Sequence, residues 1–165
     1  MADVKFIDNS IQVKAAINDT TLEWLYDWAN TIASHAKANT KLDGEAGIAL
    51  RKDYRAVVDD AKGEAMIGSR LEQAFWEEFG TGEYADTAKN GGKQGRPGWW
   101  VYKDGYKGNG GEILTEAEAK AIAAEDPTHH ATNGREPAKT LETAFTVNKP
   151  KAVADLETRM KGMGE

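Results

Sequence analysis

The chain has 165 residues, 40% of them hydrophobic, with 17 glycines and a mean hydropathy of −0.63, which suits a single domain with generous loops. It holds no cysteine, which excludes disulfides, thiolate nucleophiles and cysteine-ligated metal sites and suits assembly in a reducing cytoplasm. A formal charge of −6 argues against duplex binding by phosphate neutralisation. No apolar run nears the roughly 20 residues a membrane helix needs, and the start, MADVKFIDNS, lacks a basic segment followed by an apolar one, so a soluble chain without an export signal is expected.

In chain order, Leu22, Leu25, Ala29, Ile32 and Ala36 recur at helical intervals, and Thr20 with Glu23 has capping-box spacing. With Ile11, Ala15 and Ile17 upstream, the pattern predicts one long helix, kinked or straight, reaching about Asn39, with His35 beside its apolar stripe as a surface or interface imidazole. Residues 40–47 read as a loop around the turn signal Asp43-Gly44. Residues 54–59, in which Tyr54, Ala56 and Val58 alternate, and residues 65–68 predict an antiparallel hairpin turning at Lys62-Gly63. Ser69 and Glu72 have capping-box spacing for a short helix whose Leu71, Ala74, Phe75 and Phe79 would cover that hairpin, with Gly80 as its left-handed stop.

Residues 81–98, rich in Gly and Lys, read as a long mobile loop. The aromatic run WWVYK at 99–103 predicts a strand beside the earlier hairpin. After a flexible connection at 105–111, Thr115 and Glu118 form a capping-box pair opening an Ala-rich helix to about Ala124, and residues 127–132 resume the strand. Pro137 is placed to start a helix with Leu141 and Ala144 or Phe145 on one face, and Pro150 to start or kink the last, whose stripe is Val153, Leu156 and Met160. The predicted class is α+β: a long N-terminal helix, a small antiparallel sheet, short helices packed on it, the long loop and C-terminal helices.

Charge is laid out in blocks. Glu64, Glu72, Glu77, Glu78, Glu83 and Asp86 face one base, Arg70, whereas Lys89, Lys93, Arg96, Lys103 and Lys107 face only Asp104. Such blocks can pair within one subunit or between identical neighbours, or stay as two solvated surfaces. Catalytic templates are incomplete: there is no His-Glu-x-x-His pair, no Gly-x-Ser-x-Gly elbow and no phosphate loop, and Gly108, Gly110 and Gly111 lack a following helix that starts with lysine. Glu77 and Glu78 are consecutive on a helix and diverge, so their plainest use is solubility or an ionic contact. His129 and His130 would point to opposite faces of a strand, which prevents joint chelation. Trp99, Trp100, Tyr102 and Tyr106 invite a carbohydrate platform, but alternation separates Trp99 and Val101 from Trp100 and Tyr102, and the exposed half suits a subunit interface better.

Three segments, IGSRLEQAFWEEFGTGEYA at 67–85, GRPGWWVYKDG at 95–105 and NGREPAKTLETAF at 133–145, together resemble the tail-completion, head–tail joining family of long-tailed siphophages. The shared pattern is a helix containing an aromatic, EFGTG, a long loop, an aromatic strand and a Gly-x-x-Pro-aliphatic helix. The residues at 41–47 depart from the family's usual Pro-Val-Asp-Thr-Gly turn, and the helix at about 112–126 is an insertion against it. The resemblance implies a non-enzymatic neck protein of the virion, assembled in the host cytoplasm as a homo-oligomeric, hexameric ring. Its implied partners are the tail tube protein and head-closure or adaptor proteins, with DNA passing through the ring and no sequence-specific contact. No catalytic, cofactor or metal residue is expected. The residues expected at the interface are Glu77, Glu78, Phe79, Gly80, Thr81, Gly82, Lys89, Lys93, Arg96, Trp100 and Tyr102. A head-closure or minor capsid protein is the alternative within virion biology, and a carbohydrate-binding module the alternative of another class.

Overall fold

The computed structural model describes residues 10–89, 95–104 and 112–163. The fold is α+β, and the chain is organised as two compact units interleaved in sequence. The first combines the N-terminal helix, residues 49–69 and residues from 141 onward; the second takes 40–48 and 70–140.

The first unit is organised by α1, Ser10–Asn39. Its buried stripe is Ala29, Ile32, Ala33 and Ala36, three of which the helical spacing picks out. Thr20 does not cap it, because residues 10–19 are already helical, and Thr21 instead donates its hydroxyl to the Ile17 carbonyl at 2.7 Å. The hairpin forms as the alternation predicts: β1, Arg55–Asp59, pairs antiparallel with β2, Glu64–Gly68, and Gly63 takes φ 64° in the turn. It is α1 that packs on this hairpin.

The C-terminal helix α5, Thr140–Gly162, is continuous, with Pro150 inside it. Proline removes one backbone donor there, and Thr146, whose carbonyl loses its helical partner, is exposed, so water can serve the freed oxygen. Pro137 lies ahead of the helix and does not start it. The inward face is Ala144, Asn148 and Ala152, while Val153, expected on the apolar stripe, is 47% exposed. Polar contacts join α5 to α1: Trp24 Nε1 donates to the Ala152 carbonyl at 2.8 Å, Trp28 Nε1 donates to Asp155 at 2.8 Å, and Arg159 reaches Asp27 at 2.7 Å. His35, predicted as a surface or interface imidazole, is half-buried with its Nδ1 2.7 Å from Asn148.

A helix unforeseen in the sequence, α2 at Gly44–Asp53, replaces part of the predicted 40–47 loop. Gly44 has φ 63°, so the Asp43-Gly44 turn signal is real, but it launches a helix rather than a loop. The second unit holds α3, Glu72–Phe79; β3, Thr81–Gly82; β4, Trp100–Lys103; α4, Glu116–Glu125; β5, His129–Thr132; and β6, Gly134–Arg135. Among the described residues the strands form three two-stranded sheets, β1-β2, β3-β6 and β4-β5. The aromatic strand therefore pairs with β5 and not with the hairpin, and Trp99 bridges Leu114.

The Thr115 capping box is complete: its hydroxyl accepts from the Glu118 N–H, and the Glu118 carboxylate accepts from the Thr115 N–H at 2.9 Å. That bond holds the Glu118 carboxyl below the usual carboxylate range. The Ser69 box does not form. Helix α3 starts after Leu71 with no side-chain cap, and the Ser69 hydroxyl donates instead to Asp53 at 2.7 Å. Helix α4 packs on β4 and β5 with Ala119 fully buried, so the predicted insertion is built into the second unit.

Candidate functional site

The three segments that the sequence singles out converge in the second unit at a crossing of glycine backbones. Thr81 faces Arg135 and Gly82 faces Gly134 in the β3–β6 ladder, while Gly82 also bridges Gly95. Gly82 has φ 63° and Gly134 φ 125°. A Cβ on Gly82 would collide with the Asn133 carbonyl and the Trp100 ring, and one on Gly134 with the Thr81 carbonyl. Gly80 stops α3 with φ 71° but ψ −176°, an extended exit rather than the expected left-handed one, which feeds the chain directly into β3. The EFGTG and NGREP motifs are thus two halves of one close backbone contact.

Beneath the crossing lies Glu77, 0% exposed. Its Oε1 accepts from the Lys41 N–H at 2.5 Å and the Thr140 hydroxyl at 3.0 Å, and the Arg135 guanidinium stands 3.4 Å from Oε2. Oε2 has no well-aligned hydrogen bond among the described residues, so Arg135 acts on it mainly as a charge. The Glu77 carbonyl also accepts from the Ala138 N–H at 2.8 Å. These contacts bracket Lys139, whose φ of 52° is the one positive value outside glycine among the described residues. Removing a carboxylate from water costs several kcal/mol unless charge and donors offset it, and here both do.

The remaining predicted interface residues are dispersed in role. Glu77, Gly80 and Gly82 are buried, so these three are internal supports rather than surface contacts. Glu78 and Thr81 are half-buried, and the Phe79 ring meets that of Phe75 at a tilt, 4.8 Å between centres. Lys89 is exposed; Lys93 lies outside the described residues, as does Tyr106. The Arg96 guanidinium sits 5.3 Å from the Trp100 ring centre, over the ring that packs on Gly82. Lys120 covers Trp99 in the same way at 5.3 Å. Tyr102 is 40% exposed and stacks on His130 at 5.2 Å. Alternation thus separates the two tryptophans as expected, but each already has a cation over its ring, and among the described residues no flat aromatic platform results.

The segment predicted to be a mobile loop is held at both described ends. The Asp86 N–H donates to the Phe79 carbonyl at 2.7 Å, and the Glu83 carboxylate accepts from the Gly98 N–H at 3.0 Å and from Asn133 Nδ2 at 2.9 Å. Between them is a shallow open depression of about 420 Å³ bounded by Gly82, Glu83, Thr87, Gly95 and Arg96 among others. His129 and His130 lie on a strand, on opposite faces, and each meets its own carboxylate: Asp126 at 3.3 Å and Asp104 at 2.8 Å respectively. Asp126 is held below the usual carboxylate range chiefly by the Thr128 N–H, with smaller help from His129 and Lys103. Among the described residues no group of three or more His, Cys, Asp or Glu side chains is placed to hold a metal ion.

Sequence reasoning missed Glu77 as a buried anchor and missed Thr140 and Arg135 as its partners. The signal was present, since Glu77 lies three residues after Ala74 and so shares its inward face. No protein-family model, curated protein or solved structure matches the chain. Among the described residues no helix is long and apolar enough to cross a membrane.

Proposed function

We propose that the chain is a non-enzymatic structural subunit of the neck of a long-tailed phage, a tail-completion or tail-terminator component that joins the tail tube to the head. In this reading copies assemble into a hexameric ring that DNA traverses without base-specific contact. The observation that carries it is the convergence of the three segments behind the sequence resemblance: Gly82 of the first meets Gly95 and Trp100 of the second and Gly134 of the third. Residues separated in sequence but needed together explain why the pattern spans nearly eighty positions. A glycine crossing backed by the buried Glu77 carboxylate suits a stiff body, which is what a mechanical joint requires. A head-closure role differs only in position within the neck, while the capped tryptophans give the carbohydrate reading no support.

The test is electron microscopy of particles assembled without the chain. Full heads beside free tails are expected. Intact, infectious virions in its absence would refute the proposal.

A further inference from the structure

The outer face of the β1–β2 hairpin carries an arrangement that its own subunit leaves unresolved. Across the ladder Arg55 faces Gly68, Val57 faces Met66, and Asp59 faces Glu64. Val57 is 51% exposed and Met66 70%. Like charges directly opposite each other on a sheet are destabilising, and Lys62, 3.3 Å from Asp59 and itself largely exposed, neutralises this acidic pair only in part. At the other end the Arg55 cation makes no ion pair among the described residues, and its cross-strand neighbour Gly68 has no side chain and open space around it. Among the described residues β1 pairs only with β2, so one side of it is an unpaired edge.

We infer that β1 pairs antiparallel with β1 of a second copy about a two-fold axis through Val57. The sequence Arg-Ala-Val-Val-Asp is self-complementary under that operation. Arg55 of each copy comes beside Asp59 of the other, and Val57 beside Val57. The outer face of the resulting four-stranded sheet reads across its centre Met66, Val57, Val57, Met66, an apolar row, with an arginine joining each acidic pair on either side. In the alternative of β2 against β1 of the next copy in the same register, Asp59 meets Glu64 again, and the repulsion is repeated rather than relieved. A two-fold contact closes on itself as a pair. It therefore adds to, and does not build, a cyclic ring, and it stands whether or not the neck reading holds.

The full chain has no cysteine, which makes the test specific. Directly opposed residues in an antiparallel pair lie about 4.5–5.5 Å apart at Cα, inside the range of about 4.4–6.8 Å that a disulfide accepts. Val57→Cys should therefore form a disulfide-linked dimer on mild oxidation, while Ile113→Cys, equally exposed, should not. In sedimentation equilibrium, Arg55→Asp or Asp59→Arg alone should weaken dimerisation about tenfold or more, because symmetry makes each reversal act twice. The double variant R55D/D59R restores opposite charges and should recover the dimer, with circular dichroism confirming that each variant is folded. A chain that stays monomeric, a Val57→Cys variant that does not cross-link, or association indifferent to both single reversals would overturn the pairing. A ring that still forms in that last case would leave the neck reading standing.

Discussion

The glycine crossing of the second unit and the β1–β2 hairpin of the first are both built from short antiparallel strands, yet they treat their neighbours in opposite ways. At the crossing the special groups are met from within: Glu77 Oε1 by the Lys41 N–H and the Thr140 hydroxyl, its Oε2 by the Arg135 charge, the positive-φ glycines by backbone so close that no side chain fits. The hairpin's inner face packs on α1, but its outer face keeps an exposed Val57–Met66 pair, an acidic pair and Arg55, which makes no ion pair among the described residues. The difference separates two jobs. A region that over-determines its own geometry makes a stiff body, whereas one with unmatched apolar and charged groups is where another molecule gains most by docking.

Substitutions can break this contrast at its strongest point first. Gly134→Ala has no room and an unfavourable φ of 125°, and should cost about 3 kcal/mol or more. Gly68→Ala on the hairpin, with nothing within 4 Å and ordinary φ, should stay within about 0.5 kcal/mol. Thermal or urea melts of the two variants measure the contrast, and equal losses would erase it.

Glu77→Ala comes next, at about 3 kcal/mol, because it orphans the Lys41 N–H and the Thr140 hydroxyl. Glu77→Gln retains an acceptor and should lose clearly less in the same urea titration. A loss as small as that of a surface glutamate would show that the anchor is not one.

Thr115→Ala should cost about 1 kcal/mol through the capping box. The Glu118 carboxyl is held below its ordinary value by that box, so its contribution is complete above the unfolded pKa and fades as pH falls through the lower folded value. The variant should accordingly show a shallower loss of stability toward acid than the parent, read from melts across an acidic pH series. Smallest is Lys139→Gly, which relieves the φ of 52° between the two Glu77 contacts and should stabilise by a few tenths of a kcal/mol to about 1 kcal/mol. A destabilised Lys139→Gly would mean that the lysine side chain, not the backbone, matters there.

Local patterns were legible where one element settles its own fate. The Ala29, Ile32 and Ala36 stripe, the 54–59 alternation with the Lys62-Gly63 turn, and the Thr115–Glu118 box all depend on neighbours within a few residues, and each gave the right element. Pairings over long separations were not. Aromatic and β-branched residues in WWVYK announce a strand but not its partner, and β5, some thirty residues later, wins over the hairpin because α4 closes the connection between them. Capping spacing misled twice, each time for its own reason: Thr20 and Ser69 have the right spacing, but helix already precedes the first and Asp53 captures the second. At the crossing, EFGTG and NGREP were recognisable as motifs, and only the fold shows that they answer each other across Gly82 and Gly134. Glu77 was read as a surface acid because charge is usually solvated, although its position after Ala74 placed it inward.

The proposed mating of this polypeptide with copies of itself is tested most simply by the native mass of the chain across a concentration series. Multi-subunit species that grow with concentration and shift when Arg55 or Asp59 is reversed are expected. A single-subunit mass at every concentration and salt would contradict that mating.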